Sequence, residues 1–408
     1  MDFKTHSLKD ERVLHILQAA FDAVEPGGVV KHFLREYPLP AAKRTFVFGL
    51  GKAACAMANG LSELPNLTRT LIITKHASRL DLGPAAIIEG DHPVPGQNSL
   101  AAGRAALDFV SHLTPDDLLL CLISGGGSAL MTAPVIPLAE LQALTSQLLA
   151  NGSRIDQINT VRRHLDLLKG GGLAKAANGA KIISLILSDV VNDSLETIAS
   201  GPTAPDPTKI EDSIHVAGEI LPFRETLKPD DPIFAKVQNH IIASNDIALN
   251  AAKQKAEMEG FSTDVLYSGL QGEAREIGLH LAEKLKEADK KYTRPFCLLA
   301  GGEMTVTIKG NGKGGRNQEL VLGAVEALRG MKDVLFISIA TDGEDGPTDA
   351  AGAVATGESA QRAEKLGMSA ASHQLRNDAY GFFDPLGDLI KSGPSGTNVN
   401  DLMMLFAL

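Results

Sequence analysis

The sequence predicts an α/β protein made of two α/β domains with mostly parallel sheets, the first Rossmann-like, and an active site in the cleft they form. Two observations predict the class, and a third predicts the division. Short apolar runs of strand length alternate with helical segments through most of the 408 residues, the rhythm of βαβ crossovers. The run Leu118 to Ile123 reads as a buried parallel strand, continuous in apolar character and ended by glycines. Two Pro-rich, weakly periodic stretches, "SGPTAPDPTKIEDS" and "LPFRETLKPDDP", separate the strands into two series.

Taken in order, the chain opens on "MDFKTHSLKDERVLHILQAAFDAV", which has helical periodicity and no signal-peptide core. The first series of strands is "TFVFGLG" (45–51), "TLIITK" (70–75), "AAIIEG" (85–90), "LLLCLIS" (118–124) and "KIISLILSD" (181–189), with helices at 98–113 and 137–150. The second series is "HIIAS" (240–244), "STDVLYS" (262–268), "RPFCLLAGGEMTVTIKG" (294–310) and "VLFISIATDG" (334–343), with helices at 247–259, 273–289 and 317–329. The division falls near Pro232, giving domains 1–232 and 233–408.

Composition narrows the function. Hydrophobic residues at 44% and charged residues at 22% fit a globular chain with ample core. With no Trp and 4% aromatic residues the chain has no stacking platform for single-stranded nucleic acid. A net charge of −10 without any basic stripe argues against nucleic acid and anionic membranes as partners. No apolar run is long enough to span a bilayer, and the expected compartment is the cytoplasm. The three cysteines, Cys55, Cys121 and Cys297, are widely spaced in apolar contexts and read as reduced, buried thiols. Oligomeric state is open, a homodimer included.

The chemistry concentrates in glycine-rich loops at strand ends. Ser124-Gly125-Gly126-Gly127-Ser128 clears side chains from a strand-to-helix turn, leaving backbone N–H groups to face an anion. "FGLGKAACAMA" fits a loose dinucleotide fingerprint, but the next strand ends in Lys75 and His76 where a ribose-binding acid belongs. Lys52 stands at the mouth of that turn, where it can neutralise a phosphate. No Walker A pattern and no protein-kinase signature set is present. "NTVRRHLDLLKGGGLAKAA" brings Arg162, Arg163 and Lys169 to Gly170-Gly171-Gly172, and "KGNGKGGRNQELVL" brings Lys313 and Arg316 to a helix start. Four such loops in an acidic protein point to cationic pockets for a polyanionic ligand. Carboxylates follow strand ends in the same way: Asp189 with Asp193, Glu303, and Asp342, Asp345 and Asp349. Hard oxygen ligands beside phosphate loops suit Mg²⁺.

The motifs "GLGKAACAMA", "LISGGGSAL", "TVRRHLDLLKGGGLAKAA", "SDVVNDSLETIASGPTAPDP", "GGEMTVTI", "GGRNQELVL", "ATDGEDGPTDAAGA" and "GPSGTNVNDL" together resemble the glycerate 2-kinases, whose C-terminal half is the MOFRL domain. The resemblance runs from about residue 45 to 403. It implies an ATP- and Mg²⁺-dependent kinase that converts D-glycerate to 2-phosphoglycerate. Lys52 and Arg316 would then be catalytic. Ser124 to Ser128, Arg163, Lys169, Gly171, Asn317, Thr397 and Asn398 would bind substrate or phosphate, and some of Asp189, Asp193, Glu303 and Asp345 the metal. Two positions depart from the family pattern: Ser194 stands where a second Asp is common, and Ser395 where Thr is usual. Members of the family also carry the label hydroxypyruvate reductase, so an NAD(P)H-dependent reductase is the alternative, and a non-catalytic binder is a third. The glycine loop could serve either the glycerate carboxylate or the ATP phosphates.

Overall fold

A computed structural model describes residues 1–80, 82 and 85–408. The chain divides into two compact units, one formed by residues 26–242 and the other by residues 1–25 with 243–408. No helix among the described residues is long and apolar enough to cross a membrane.

The unit 26–242 is built on six strands: β1 (Thr45–Leu50), β2 (Leu67–Thr74), β3 (Ala85–Glu89), β4 (Leu118–Ile123), β5 (Lys181–Leu187) and β6 (Val237–Ala243). Their order in the sheet is β3-β2-β1-β4-β5-β6. The pairs β3 with β2, β2 with β1, β1 with β4 and β4 with β5 are parallel. The strand "HIIAS", which the sequence pattern groups with the second series, lies in β6 at the edge of this first sheet.

Every residue of β4 is buried, as a central strand covered on both faces requires. Phe46, Phe48, Leu119, Cys121 and Ile123 pack on one face with Ala102, Ala106 and Phe109 of the helix Gln97–Ser111. Register then sets where the loops emerge. Leu50 lies opposite both Ile73 and Ile123, Thr74 opposite Glu89, and Ile123 opposite Ile186. The carboxyl ends of β1 to β5 therefore finish at one level. Strand order reverses between β1 and β4, the place where open α/β sheets bind ligands.

The second unit also has six strands: β7 (Ser262–Glu273), β8 (Phe296–Thr305), β9 (Val334–Ala340), β10 (Gly352–Ala355), β11 (Leu389–Ile390) and β12 (Asp401–Ala407), in the order β11-β10-β9-β12-β8-β7. Here the expectation of mostly parallel pairing is corrected. Only β7 with β8 is parallel, while β12 runs antiparallel between β8 and β9, and β10 and β11 add antiparallel edges. The reversal has a local effect on the site. Asp401, the first residue of β12, pairs with Gly302 and Ala340 near the carboxyl ends of β8 and β9.

The helices Ala274–Asp289 and Arg316–Leu328 share a core with this sheet through Leu281, Leu285, Leu320, Phe336 and Met403. The helix Glu11–Asp22 starts at Asp10, whose carboxylate accepts the Arg12 N–H, and buries Val13, Leu14, Ile16, Leu17, Ala20 and Phe21. It packs against the helix Asn245–Met258.

Candidate active site

In the first unit the strand ends gather one polar cluster. The turns after β1 and β4 are tied together: the Lys52 N–H donates to the Gly125 carbonyl at 2.9 Å, and the Ala53 N–H to Ser124 Oγ at 3.0 Å. Gly125 lies so close to the turn after β5 that a Cβ there would stand 1.8 Å from Asp189 Oδ2. Gly126 has φ +83°, which disfavours any residue with a Cβ, and its Cβ would lie 3.2 Å from Lys52 Cε and 3.3 Å from His92 Cδ2. The N–H groups of Gly125, Gly126 and Gly127 have no acceptor among the described residues, although Gly125 and Gly127 are buried. Buried N–H groups are otherwise almost always paired, so three in succession form a concavity suited to an oxyanion. Ser128 Oγ is held by Ser200 Oγ at 2.7 Å.

The helix after this turn, Gly127–Leu130, has only four residues. A helix this short carries little dipole, so charge at the turn comes from side chains. Lys52 and Lys75 are exposed and have no ion-pair partner among the described residues. Between them His92 is half-buried. Burial first, then the charges of Lys52 and Lys75, lower its pKa to about 4, so its imidazole is neutral at physiological pH.

Two cations expected in this site are committed elsewhere. Arg163 donates from Nε to Asp206 at 2.9 Å and from Nη2 to Thr160 Oγ1 at 3.2 Å. Lys169 donates to Asp166 at 2.6 Å and to the Met131 carbonyl at 3.0 Å. Both pairs are almost fully buried. Burial lowers the Lys169 pKa, with Asp166 opposing it. These side chains close the fold beneath the Gly170-Gly171-Gly172 turn. Gly171, at φ +80°, packs so tightly on Leu227 that a Cβ would lie 2.9 Å from it.

The second unit holds a separate cluster around Arg316, the first residue of its helix. Arg316 Nε and Nη2 bind Asp401 Oδ2 and Oδ1 at 2.6 and 3.0 Å, a two-pronged fork, and Nη1 lies 3.4 Å from Glu303. Burial disfavours the guanidinium charge, but Asp401, Glu303 and Asp345 outweigh it and raise the pKa. Asn317 extends the network, donating to Asp401 at 2.9 Å and accepting from Ser338 Oγ at 2.6 Å. Asp345 caps the helix from another loop: its two oxygens accept the N–H groups of Asn317 and Gln318 at 3.0 and 2.9 Å. Burial pushes its pKa up to about 6, against those hydrogen bonds and with help from Asp401. Asp401 is raised as well, by burial first, with Arg316 opposing. Thr397 is buried and donates to the Val24 carbonyl at 2.9 Å. Asn398 is partly exposed and its Oδ1 accepts the Asn400 N–H.

The four carboxylates proposed for a metal do not assemble. No group of three or more Asp, Glu, His or Cys side chains poised to hold an ion occurs among the described residues. Asp345 does not fit, because backbone donors occupy both of its oxygens. Asp189 lies against the glycine loop, and Asp193 follows four residues on. Sequence reasoning missed three residues: His92, signalled only by the "DHPVP" segment after β3; Lys75, noticed only as the absence of an acid; and Asp401.

Comparison with known proteins identifies the family. Residues 12–226 match a family model described as a domain of unknown function (DUF4147), and residues 296–401 match the MOFRL family. The chain is 38% identical to the D-glycerate 2-kinase of Thermotoga maritima, over 98% of this chain and 99% of that one. It is 36% identical to the human glycerate kinase over 97% and 92%. A relative from Agrobacterium vitis, 36% identical, bears a hydroxypyruvate reductase label instead. Among solved structures, the glycerate kinase of Thermotoga maritima superposes with a TM-score of 0.91 at 37% identity, covering 98% of this chain and 99% of that one. A Pyrococcus horikoshii protein gives 0.86 at 34% identity, covering 97% and 98%. With both family models in register and the fold shared over nearly its whole length, the chain belongs to the glycerate 2-kinase family.

Proposed function

We propose that this protein transfers the γ-phosphoryl group of ATP to the 2-hydroxyl of D-glycerate. One observation carries the reading: at the switch point of the first sheet the loops offer Lys52, Lys75 and three unpaired amides, a setting for an oxyanion. The strand order is that of dinucleotide-binding folds, so the reductase alternative turns on side chains. A nicotinamide site needs an acid at the end of β2 for the ribose, and Lys75 and His76 follow that strand. The geometry favours the kinase.

In the transfer the 2-hydroxyl oxygen bonds to the γ-phosphorus as the bond to the ADP oxygen breaks. The electron pair goes to ADP, and the hydroxyl proton is released. Such chemistry needs positioning and charge stabilisation above all. Lys52 and the Gly125–Gly127 amides receive one anionic group. Arg316 is the second unit's candidate for phosphoryl oxygens: Asp401 holds its Nε and Nη2, Glu303 stands 3.4 Å from Nη1, and the planar fork would have to exchange the Glu303 contact for a phosphoryl oxygen. Asp189 and Asp193 would hold Mg²⁺, which neutralises phosphate charge when bound.

The test couples the product formed from D-glycerate and Mg-ATP directly to enolase, with no phosphoglycerate mutase present. Phosphoenolpyruvate absorbance is expected. Signal only after mutase is added would mean transfer to the 3-hydroxyl. Silence in both, with NADH consumed on hydroxypyruvate, would overturn the reading.

A further inference from the structure

We propose that His92 and Lys75 complete, with Lys52 and the Gly125–Gly127 amides, a single oxyanion site whose occupation protonates His92. The ligand is a carboxylate or phosphate oxyanion, and naming its two sources as glycerate and the nucleotide rests on the kinase reading above.

The geometry comes first. β1, β2, β3 and β4 end at one level, so Lys52, Lys75, His92 and the glycine turn leave the sheet from the same edge. The Lys52 side chain and the His92 ring both flank Gly126 within about the width of one methyl group. The ring nitrogens of His92 have no hydrogen-bond partner among the described residues. The Lys52 side chain, a free imidazole and three unpaired amides gather at Gly125 to Gly127, with Lys75 near enough to act on the ring and the Asp189 carboxylate standing against the loop. Of the acids on adjoining segments, Asp91 accepts the N–H groups of Asn98 and Ser99 at 2.8 and 3.3 Å and Glu89 accepts the Ala77 N–H at 2.7 Å.

Linkage follows from the charges. Burial and the two lysines keep His92 neutral, with a pKa of about 4. An oxyanion seated between the ammonium groups cancels their field and offers the ring an acceptor, so the imidazolium becomes favourable. Binding then takes up a proton. If the ring returns to its ordinary 6.5, uptake is about 0.75 proton at pH 6 and about 0.25 at pH 7. Affinity strengthens by up to about tenfold per pH unit as pH falls from 6.5 towards 4. A group merely packed in the fold would show none of this.

The measurement is a pH titration of the histidine Cε1–H resonances in the full-length protein, with His92→Gln used to assign the His92 signal. It is run free, with D-glycerate alone, and with ADP alone. His92 is expected to titrate near 4 in the free protein and at least one unit higher with one of the two ligands. A shift with glycerate makes the site a carboxylate site, and a shift with ADP makes it a phosphate site. Calorimetry in buffers of different ionisation enthalpy should show the matching proton uptake in wild type and its loss in His92→Gln. A free pKa of about 6.5, or no movement with either ligand at saturation, overturns the proposal. Should the enolase assay succeed while His92 stays unmoved, the kinase reading stands and this inference alone falls.

Discussion

Glu319 is a buried carboxylate with an incomplete set of partners, and it makes a quantitative prediction. It sits in the helix Arg316–Leu328 at 2% exposure, its Oε1 has no hydrogen-bond partner, and Arg275 Nη2 approaches only to 3.6 Å. Burial pushes its pKa up from 4.5 to about 7; Arg275 opposes this and Glu273 adds to it. The raised value fixes the sign. Between pH 4.5 and 7 the unfolded chain has released this proton while the folded protein keeps it. The stability Glu319 confers is therefore complete below pH 4.5 and is lost as pH rises through 7. A difference of 2.5 units from those two values corresponds to at most about 3 kcal/mol. Glu319→Gln removes the titration and keeps the shape. Urea unfolding followed by circular dichroism should find the variant more stable than wild type by about 1 kcal/mol at pH 5 and about 3 kcal/mol at pH 9. Parallel curves for the two proteins from pH 5 to 9 would refute the reasoning, because Glu319 would then be ionised in the fold at pH 5.

Lys52→Ala and Arg316→Ala should each lower turnover by about 10² or more if they contact transition-state charge; near wild-type rates in folded protein would remove them from the mechanism. Asp401→Asn weakens the fork on Arg316 without touching any ligand, so kcat should fall about tenfold with KM for glycerate little changed. A change confined to melting temperature would leave Asp401 a purely structural residue. Lys169→Met leaves Asp166 buried without its cation, a loss of about 3–5 kcal/mol by analogy with other broken buried pairs. Thermal denaturation checks the loss, and KM values measured below the transition should stay near wild type. A large rise in KM would return Lys169 to the binding site.

The first sheet was legible because each parallel strand announces itself as a continuous apolar run closed by glycine or a polar residue. Leu118 to Gly125 shows both marks in eight positions. The tight turn of "SGGGS" was legible for the same reason, since a run of glycines at a strand end marks a place where side chains are excluded. The ion pairs of Arg163 and Lys169 were not legible, because a cation beside glycines looks alike whether it faces a ligand or a buried aspartate. Their partners, Asp206 and Asp166, are identified only by the tertiary fold. Asp401 was missed because strand-end reasoning searches carboxyl ends, and this residue begins an antiparallel strand. His92 lacked a pattern altogether: only register brings the segment after β3 level with the turn after β4.

The placement of β12 also bears on how the molecule comes to be folded. It is the last strand of its sheet in chain order, yet it lies between β8 and β9. Until it arrives, β7 with β8 and β9 with β10 and β11 are separate pieces with exposed edges, and joining them needs pairings of long sequence separation. Such pairings are slow to form. Residues 1–25 belong to the same unit and wait on it too, whereas residues 26–242 can collapse from contiguous chain. Assembly should therefore proceed in two stages, with the Arg316 cluster, which depends on Asp401 from β12, acquiring its shape in the second.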